Sequence, residues 1–264
     1  MKERLDVILV NNGLASSRDN AKRTIMAGLV TVDGIVETKS GQKFDVDSEF
    51  KVKDKLLKYV SRGGLKLEKA IQSFSIKLNG CYAVDMGAST GGFTDCMLMN
   101  GALKVYALDV GYGQLDYKLR VDPRVINMEK TNIRYLDTTL IEEQIDFISI
   151  DVSFISLRHM FPVASKILKD TGAVMCLIKP QFEAGREQVG KKGIVRDSKV
   201  HVEVIENVIG YASDNGLYPH GLDYSPVKGT KGNIEYLLYL RKTESSKEIS
   251  PQEVVSIAHG ELDY

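Results

Sequence analysis

From residue 61 onward, short apolar runs alternate with longer stretches of helical periodicity, and few folds accommodate that order. The pattern predicts strands at 81–86 (CYAVDM), 104–109 (KVYALD), 124–128 (RVINM), 145–150 (IDFISI) and 172–178 (GAVMCLI). Helices are predicted at about 65–76, 92–100, 157–169 and 198–214. Repeated β-then-α order demands crossover connections, which build a mostly parallel sheet covered on both faces. Two late apolar runs, at about 217–224 and 233–240, follow each other too closely for a crossover and suit an antiparallel edge. A polar connector at 242–250 then leads to a short C-terminal helix.

Composition removes several classes. A chain of 264 residues that is 43% hydrophobic and 27% charged folds rather than staying disordered. Its longest apolar run, Gly172 to Ile178, is far shorter than the roughly 20 residues that span a bilayer as a helix. The opening MKERLDVILVNNGL is interrupted by Asp6, Asn11 and Asn12, so no secretory signal is expected and a cytoplasmic location is. Cys81, Cys96 and Cys176 lie far apart, and His159, His201, His220 and His259 do not cluster with them. That spacing predicts neither a disulfide framework nor a metal site. The 35 basic and 35 acidic residues balance, so any nucleic-acid binding must come from local patches.

The first 60 residues have a different grammar. Leu5, Ile8 and Leu9 recur at helical spacing, and Ser17 is suited to cap a second helix. In that helix Ala21, Ile25 and Met26 are expected to face inward, while Arg18, Lys22 and Arg23 share another face. Asp33-Gly34 between LVTV and IVET predicts a tight hairpin, and FKVK at 50–53 can add a third strand. A domain over 1–60 and a second over 61–264 are therefore expected. Three cations on one helix face mark either a solvated surface or a nucleic-acid contact. The order of the whole segment, residues 2 to 53, resembles the alpha-L RNA-binding module of small-subunit ribosomal protein S4. That resemblance implies that Arg4, Arg18, Lys22 and Arg23 lie against RNA phosphates.

In the second domain the first strand ends in DMGASTGGFTD. Asp85 and Gly87 leave the strand, and Gly91 and Gly92 open the following helix, where free N–H groups can meet a carboxylate or phosphate. Ser89 breaks the dinucleotide fingerprint G-x-G-x-x-G, and no triphosphate-binding loop follows, so a dehydrogenase is disfavoured. Asp109 closes the second strand about 20 residues later, where an acid either holds both hydroxyls of a ribose or caps a helix. The set resembles the pattern of S-adenosylmethionine-dependent methyltransferases. The resemblance implies that Asp85 and the loop from Gly87 through Ser89, Thr90, Gly91, Gly92 and Phe93 hold the methionine portion, Asp109 the ribose, and Asn132 the adenine side.

Five segments sharpen this: YVSRGGLKL at 59–67, DMGASTGGFTD at 85–95, SIDVSFISL at 149–157, LIKPQFE at 177–183 and KGNIEYLLYL at 231–240. Together they resemble the TlyA, or hemolysin-A-like, ribosomal RNA methyltransferases, relatives of the FtsJ-type ribose 2'-O-methyltransferases. Ser89-Thr90 departs from the Ala-Pro usual in the wider FtsJ group. The implied fold is α/β, a Rossmann-like S-adenosylmethionine-dependent methyltransferase sheet with a small N-terminal α+β RNA-binding domain. The implied catalytic tetrad is Lys66, Asp151, Lys179 and Glu235, with Arg62 on the RNA side. Asp151 and Lys179 would stand at the carboxyl ends of the fourth and fifth strands, where open α/β sheets bind ligands. Lys179, crowded by a second lysine, is expected to accept the proton of the ribose hydroxyl. The resemblance further implies a cytidine in ribosomal RNA, free or within a ribosomal subunit, as substrate. Residues 179–200 carry six cations against three acids, an excess suited to RNA. Two alternatives stand beside this reading: an RNA-binding protein with an inactive methyltransferase domain, and a membrane-lytic hemolysin.

Overall fold

The computed structural model describes residues 2–262 apart from 16, 27, 53–57, 230 and 247. The Arg23 side chain and Lys53, two of the residues singled out above, lie outside the described residues. The chain divides into Met1–Lys58 and Tyr59–Tyr264. The division falls before the expected residue 60 because Tyr59 is buried with Leu67, Ala70 and Phe93 of the second unit. The Val60 N–H also donates to Asp95 there (2.8 Å).

The first unit runs β1 (Lys2–Arg4), α1 (Leu5–Asn11), α2 (Arg18–Met26), β2 (Val30–Val32), β3 (Ile35–Glu37), β4 (Lys43–Asp45) and β5 (Phe50–Val52). Strands order as β3-β2-β5 in one small antiparallel sheet, and β1 pairs with β4. Asp33 (φ 49°) and Gly34 (φ 82°) both take positive φ, as the two-residue hairpin requires. Leu5, Leu9, Ala21, Ile25, Val30 and Val32 form the core. Met26 is not part of it and is 71% exposed. Ala21 and Ile25, four apart, already fill the inward stripe, and the next residue rotates about 100° away from it.

The second unit runs α3 (Gly63–Phe74), β6 (Tyr82–Met86), α4 (Gly92–Met99), β7 (Lys104–Leu108), α5 (Tyr117–Arg120) and β8 (Val125–Met128). It continues with β9 (Ile145–Ile150), α6 (Phe161–Ile167), β10 (Leu168–Ile178), α7 (Pro180–Glu183) and α8 (Ser198–Ser213). It ends in β11 (Tyr218–Tyr224), β12 (Tyr236–Arg241) and α9 (Pro251–Glu261). Seven strands form one sheet in the order β11-β12-β10-β9-β6-β7-β8. β6 to β10 are parallel, and β12 and β11 add the antiparallel edge. Alternate residues feed two cores: Ala83 and Phe147 on one face, Val84 and Ile148 on the other. The predicted helix over 157–169 is shorter than expected. A 3-10 turn occupies Leu157–His159, Pro162 opens α6 from its first turn, and Leu168 already pairs with Ile145 as strand.

The carboxyl edge of this sheet collects the chemistry. Gly87 follows β6, Asp109 follows β7, Asp151 follows β9 and Lys179 follows β10. β12 runs the other way, so Glu235, just before it, arrives at the same edge.

Candidate active site

A cavity of about 730 Å³ opens at that edge, and Lys66, Gly87, Phe93, Asp151, Lys179 and Glu235 all line it. Lys66, on the first turn of α3, places its Nζ 2.5 Å from Glu235 Oε2, with the two side chains 12% and 3% exposed. Lys179 places its Nζ 2.5 Å from Asp151 Oδ1 and donates a hydrogen bond to Ser153 Oγ (3.0 Å). Each lysine thus has its own carboxylate, so its charge is compensated locally.

The backbone around this pair is close-fitting. Gly87 has φ 88°, and a Cβ there would sit 2.5 Å from the Asp151 carbonyl oxygen, so only glycine lets β6 and β9 end side by side. At the start of α4, a Cβ on Gly92 would collide with Ser61 Oγ. The N-cap residue Gly91 has no side chain to offer α4, Asp85 takes the Thr94 N–H, and Gly92 and Phe93 line the cavity. That helix start is therefore placed to receive an anionic end of a ligand.

Several predicted ligand contacts have other partners. Asp85 is fully buried beneath the loop: its Oδ2 accepts from the Thr94 N–H (2.9 Å) and hydroxyl (2.7 Å), and its Oδ1 from Ser149 Oγ (2.9 Å). Burial raises its pKa to about 6, against the opposing pull of the Thr94 and Ser149 hydrogen bonds. Asp109 accepts from the Ser89 N–H (2.8 Å) and the Gly111 N–H (2.7 Å), fastening the two neighbouring loops together. The N–H groups of Gly87, Ala88 and Gly91 go to carbonyls of the fold. Gly91 packs on Leu115 and Leu119. Asn132 is exposed and caps the 3-10 turn Ile133–Tyr135. Ser89 and Thr90 do line the cavity.

Other lining residues have no role assigned from the sequence. Phe154, in the left-handed region at φ 62° and 89% exposed, sets its ring 4.8 Å from that of Phe182 at the cavity wall. Beneath it, Glu183 accepts from Ser156 Oγ (2.7 Å) and the Leu157 N–H (2.8 Å), clasping the loop after β9 to α7. Burial raises the Glu183 pKa. Asn233 holds the basic 179–200 loop, accepting from the Val195 N–H (3.0 Å) and donating to the Gly193 carbonyl (2.9 Å). Ser61, Lys228 and Lys231 complete that side. Their signal in the sequence is membership of the DVSF, KPQFE and KGNIE motifs, which hold Phe154, Phe182, Glu183, Lys231 and Asn233.

Of the predicted RNA-side cations, Arg62 lines the cavity at the start of α3. In the first unit Arg4 and Arg18 both bond Asp6, and Lys22 pairs with Asp19 at 3.3 Å. Among the described residues no group of His, Cys, Asp and Glu could hold a metal, and no helix is long and apolar enough to cross a membrane.

Known proteins share both halves of this architecture. The FtsJ-like methyltransferase profile matches residues 59–242, and the S4 domain profile matches residues 3–50. The 16S/23S rRNA (cytidine-2'-O)-methyltransferase TlyA of Mycobacterium tuberculosis is 39% identical, over 98% of this chain and 96% of its own. Hemolysin A of Brachyspira hyodysenteriae is 44% identical, over 89% of this chain and 98% of its own. A solved structure described as a hemolysin from Streptococcus thermophilus is 51% identical, covers 98% of this chain and 96% of its own, and superposes with a TM-score of 0.79. With an S4 domain ahead of a methyltransferase sheet, the chain belongs to the TlyA, hemolysin-A-like family of FtsJ-like methyltransferases.

Proposed function

We propose that the protein transfers a methyl group from S-adenosylmethionine to the 2'-hydroxyl of a cytidine in ribosomal RNA, in the cytoplasm. The observation that carries this reading is the meeting of the Lys66–Glu235 and Lys179–Asp151 pairs on one cavity beside a glycine loop. S-adenosylmethionine supplies a methyl group made electrophilic by its sulfonium. Its carboxylate suits the start of α4 at Gly92 and Phe93, and the remaining acceptor capacity of Asp109 suits a ribose.

The chain's own residues orient the hydroxyl and take its proton. As the ribose oxygen forms its bond to the methyl carbon, the proton on that oxygen must leave. Lys179 in its neutral form accepts it, held in place by Asp151 and Ser153. Lys66, fixed by Glu235, orients the ribose, and positioning supplies most of the acceleration. Arg62 and the basic 179–200 loop lie where RNA phosphates would pass the cavity.

Labelled-methyl transfer to isolated ribosomal subunits, with mass mapping of the product, tests the reading. An RNA with 2'-deoxyribose at the mapped nucleotide should bind and accept no methyl. Lys179→Ala and Asp151→Ala should each slow transfer at least ~100-fold while leaving cofactor affinity in place. Methylation of the deoxy substrate would overturn the ribose assignment.

A further inference from the structure

The N-terminal unit buries an acid where an anion-binding surface would need none. Asp6, on α1, has no exposed surface. Its carboxylate accepts from Arg4 Nε (2.9 Å) and Nη2 (3.1 Å) and from Arg18 Nη2 (3.2 Å). The Arg4 hydrogen bond leads in lowering its pKa to about 2, so Asp6 is charged at every physiological pH. The two arginine side chains remain 43% and 56% exposed.

We propose that Asp6 presets Arg4 and Arg18 as a two-pronged clamp for a single RNA phosphodiester. The proposal rests on the RNA reading of this unit and says how the contact is built. Both Nη2 groups lean on the same oxygen, Asp6 Oδ2, which keeps them within about 6.3 Å of each other. Two phosphate oxygens ~2.5 Å apart, each accepting at ~2.9 Å, span a gap of that size. The charges also match: two cations and one buried anion leave one positive charge, the complement of one phosphodiester. Holding the side chains on Asp6 removes their rotamer freedom during folding, so little is left to lose on binding. Lys22 differs, since its partner Asp19 is itself 83% exposed, the ordinary arrangement of a surface pair.

Removing a negative charge from an RNA-binding face should by Coulomb's law tighten binding, and the clamp requires the reverse. The full-length protein is titrated with a fluorescently labelled RNA stem-loop across a salt series. Asp6→Asn, which cannot accept from both arginines through two oxygens, should bind about tenfold more weakly. Arg4→Lys combined with Arg18→Lys keeps the charge and the surface, loses the forks, and should also lose about tenfold with an unchanged salt slope. An Asp6→Asn protein that binds as well as or better than wild type overturns the clamp, as does a lysine pair of wild-type affinity. The lysine pair decides the matter even if Asp6→Asn fails to fold. If Arg4→Gln with Arg18→Gln leaves both affinity and salt slope intact, the RNA reading of the unit fails and the clamp falls with it. If the lysine pair loses binding to phosphatidylserine vesicles but not to RNA, the clamp holds lipid headgroups and the proposal is overturned.

Discussion

Lys66 and Glu235 lie 169 residues apart in sequence and meet almost out of reach of water. Removing one partner of such a pair strands the other's charge, which is more damaging than the loss of a surface contact. Lys66→Met should therefore lower stability by about 3 kcal/mol, whereas Lys66→Met with Glu235→Met should recover most of it. Neither protein should transfer methyl at more than ~1% of the wild-type rate. Urea unfolding read beside single-turnover methylation separates the two effects, and a double variant that regains activity along with stability would make the pair purely structural. At this scale the sequence was legible only in part. The tetrad positions stand inside recognisable motifs, and the structure brings all four to one cavity. Strand residues alternate between faces, and nothing in DMGAS says that the Asp85 carboxylate turns toward Thr94 and Ser149 rather than outward. Asp109 and Asn132 show a related limit. A carboxylate or amide at a strand end serves a ligand or a neighbouring N–H equally well on paper, and here each already serves the backbone.

Between elements, the junction of α8, α9 and β12 carries a buried imidazole directly behind the catalytic edge. His201 Nε2 meets the Val195 carbonyl (3.0 Å), which only accepts, so Nε2 carries the proton and Nδ1 accepts from the Tyr236 hydroxyl (2.6 Å). His259 stands 3.2 Å from the same Nδ1. Burial leads in lowering the His201 pKa to about 4, with His259 adding to it. Above pH 6.5 the imidazole is neutral in folded and unfolded chains alike. Between 6.5 and about 4 only the unfolded chain takes up the proton, so stability falls as pH falls through that window. From pH 7.5 to 5 the His201 contribution amounts to about 2 kcal/mol. Unfolding free energies measured at those two pH values should differ by about that much less in His201→Gln than in wild type, and equal differences would sink the account. The elements themselves were largely legible, because strands covered on both faces read as continuous apolar runs. The opening of β10 was not. After Leu168 its opening residues, KDTG, are not apolar, and only pairing of Leu168 with Ile145 makes this stretch strand.

Across the whole molecule, two units divide the labour: residues 59–264 contain the complete sheet and the cavity, and residues 1–58 contain Arg4, Asp6 and Arg18. A 59–264 fragment should therefore bind S-adenosylmethionine within about twofold of the full chain by calorimetry, yet bind ribosomal RNA at least ~10-fold more weakly. Equal RNA affinity would relocate recognition to the catalytic unit. This division was visible as a change of periodicity near residue 60, and its position shifted only because Tyr59 and Val60 anchor to the second core. The reversed direction of β12 has a consequence in time. The chain is made from residue 1 onward, and at roughly 5–20 residues per second the gap between Lys66 and Glu235 takes on the order of ten seconds or more to translate. Throughout that interval Lys66 has no Glu235 to pair with. A nascent chain, or one cut short before β12, owns the N-terminal arginines but not the completed site, so under the proposed clamp its grip on RNA comes before its chemistry.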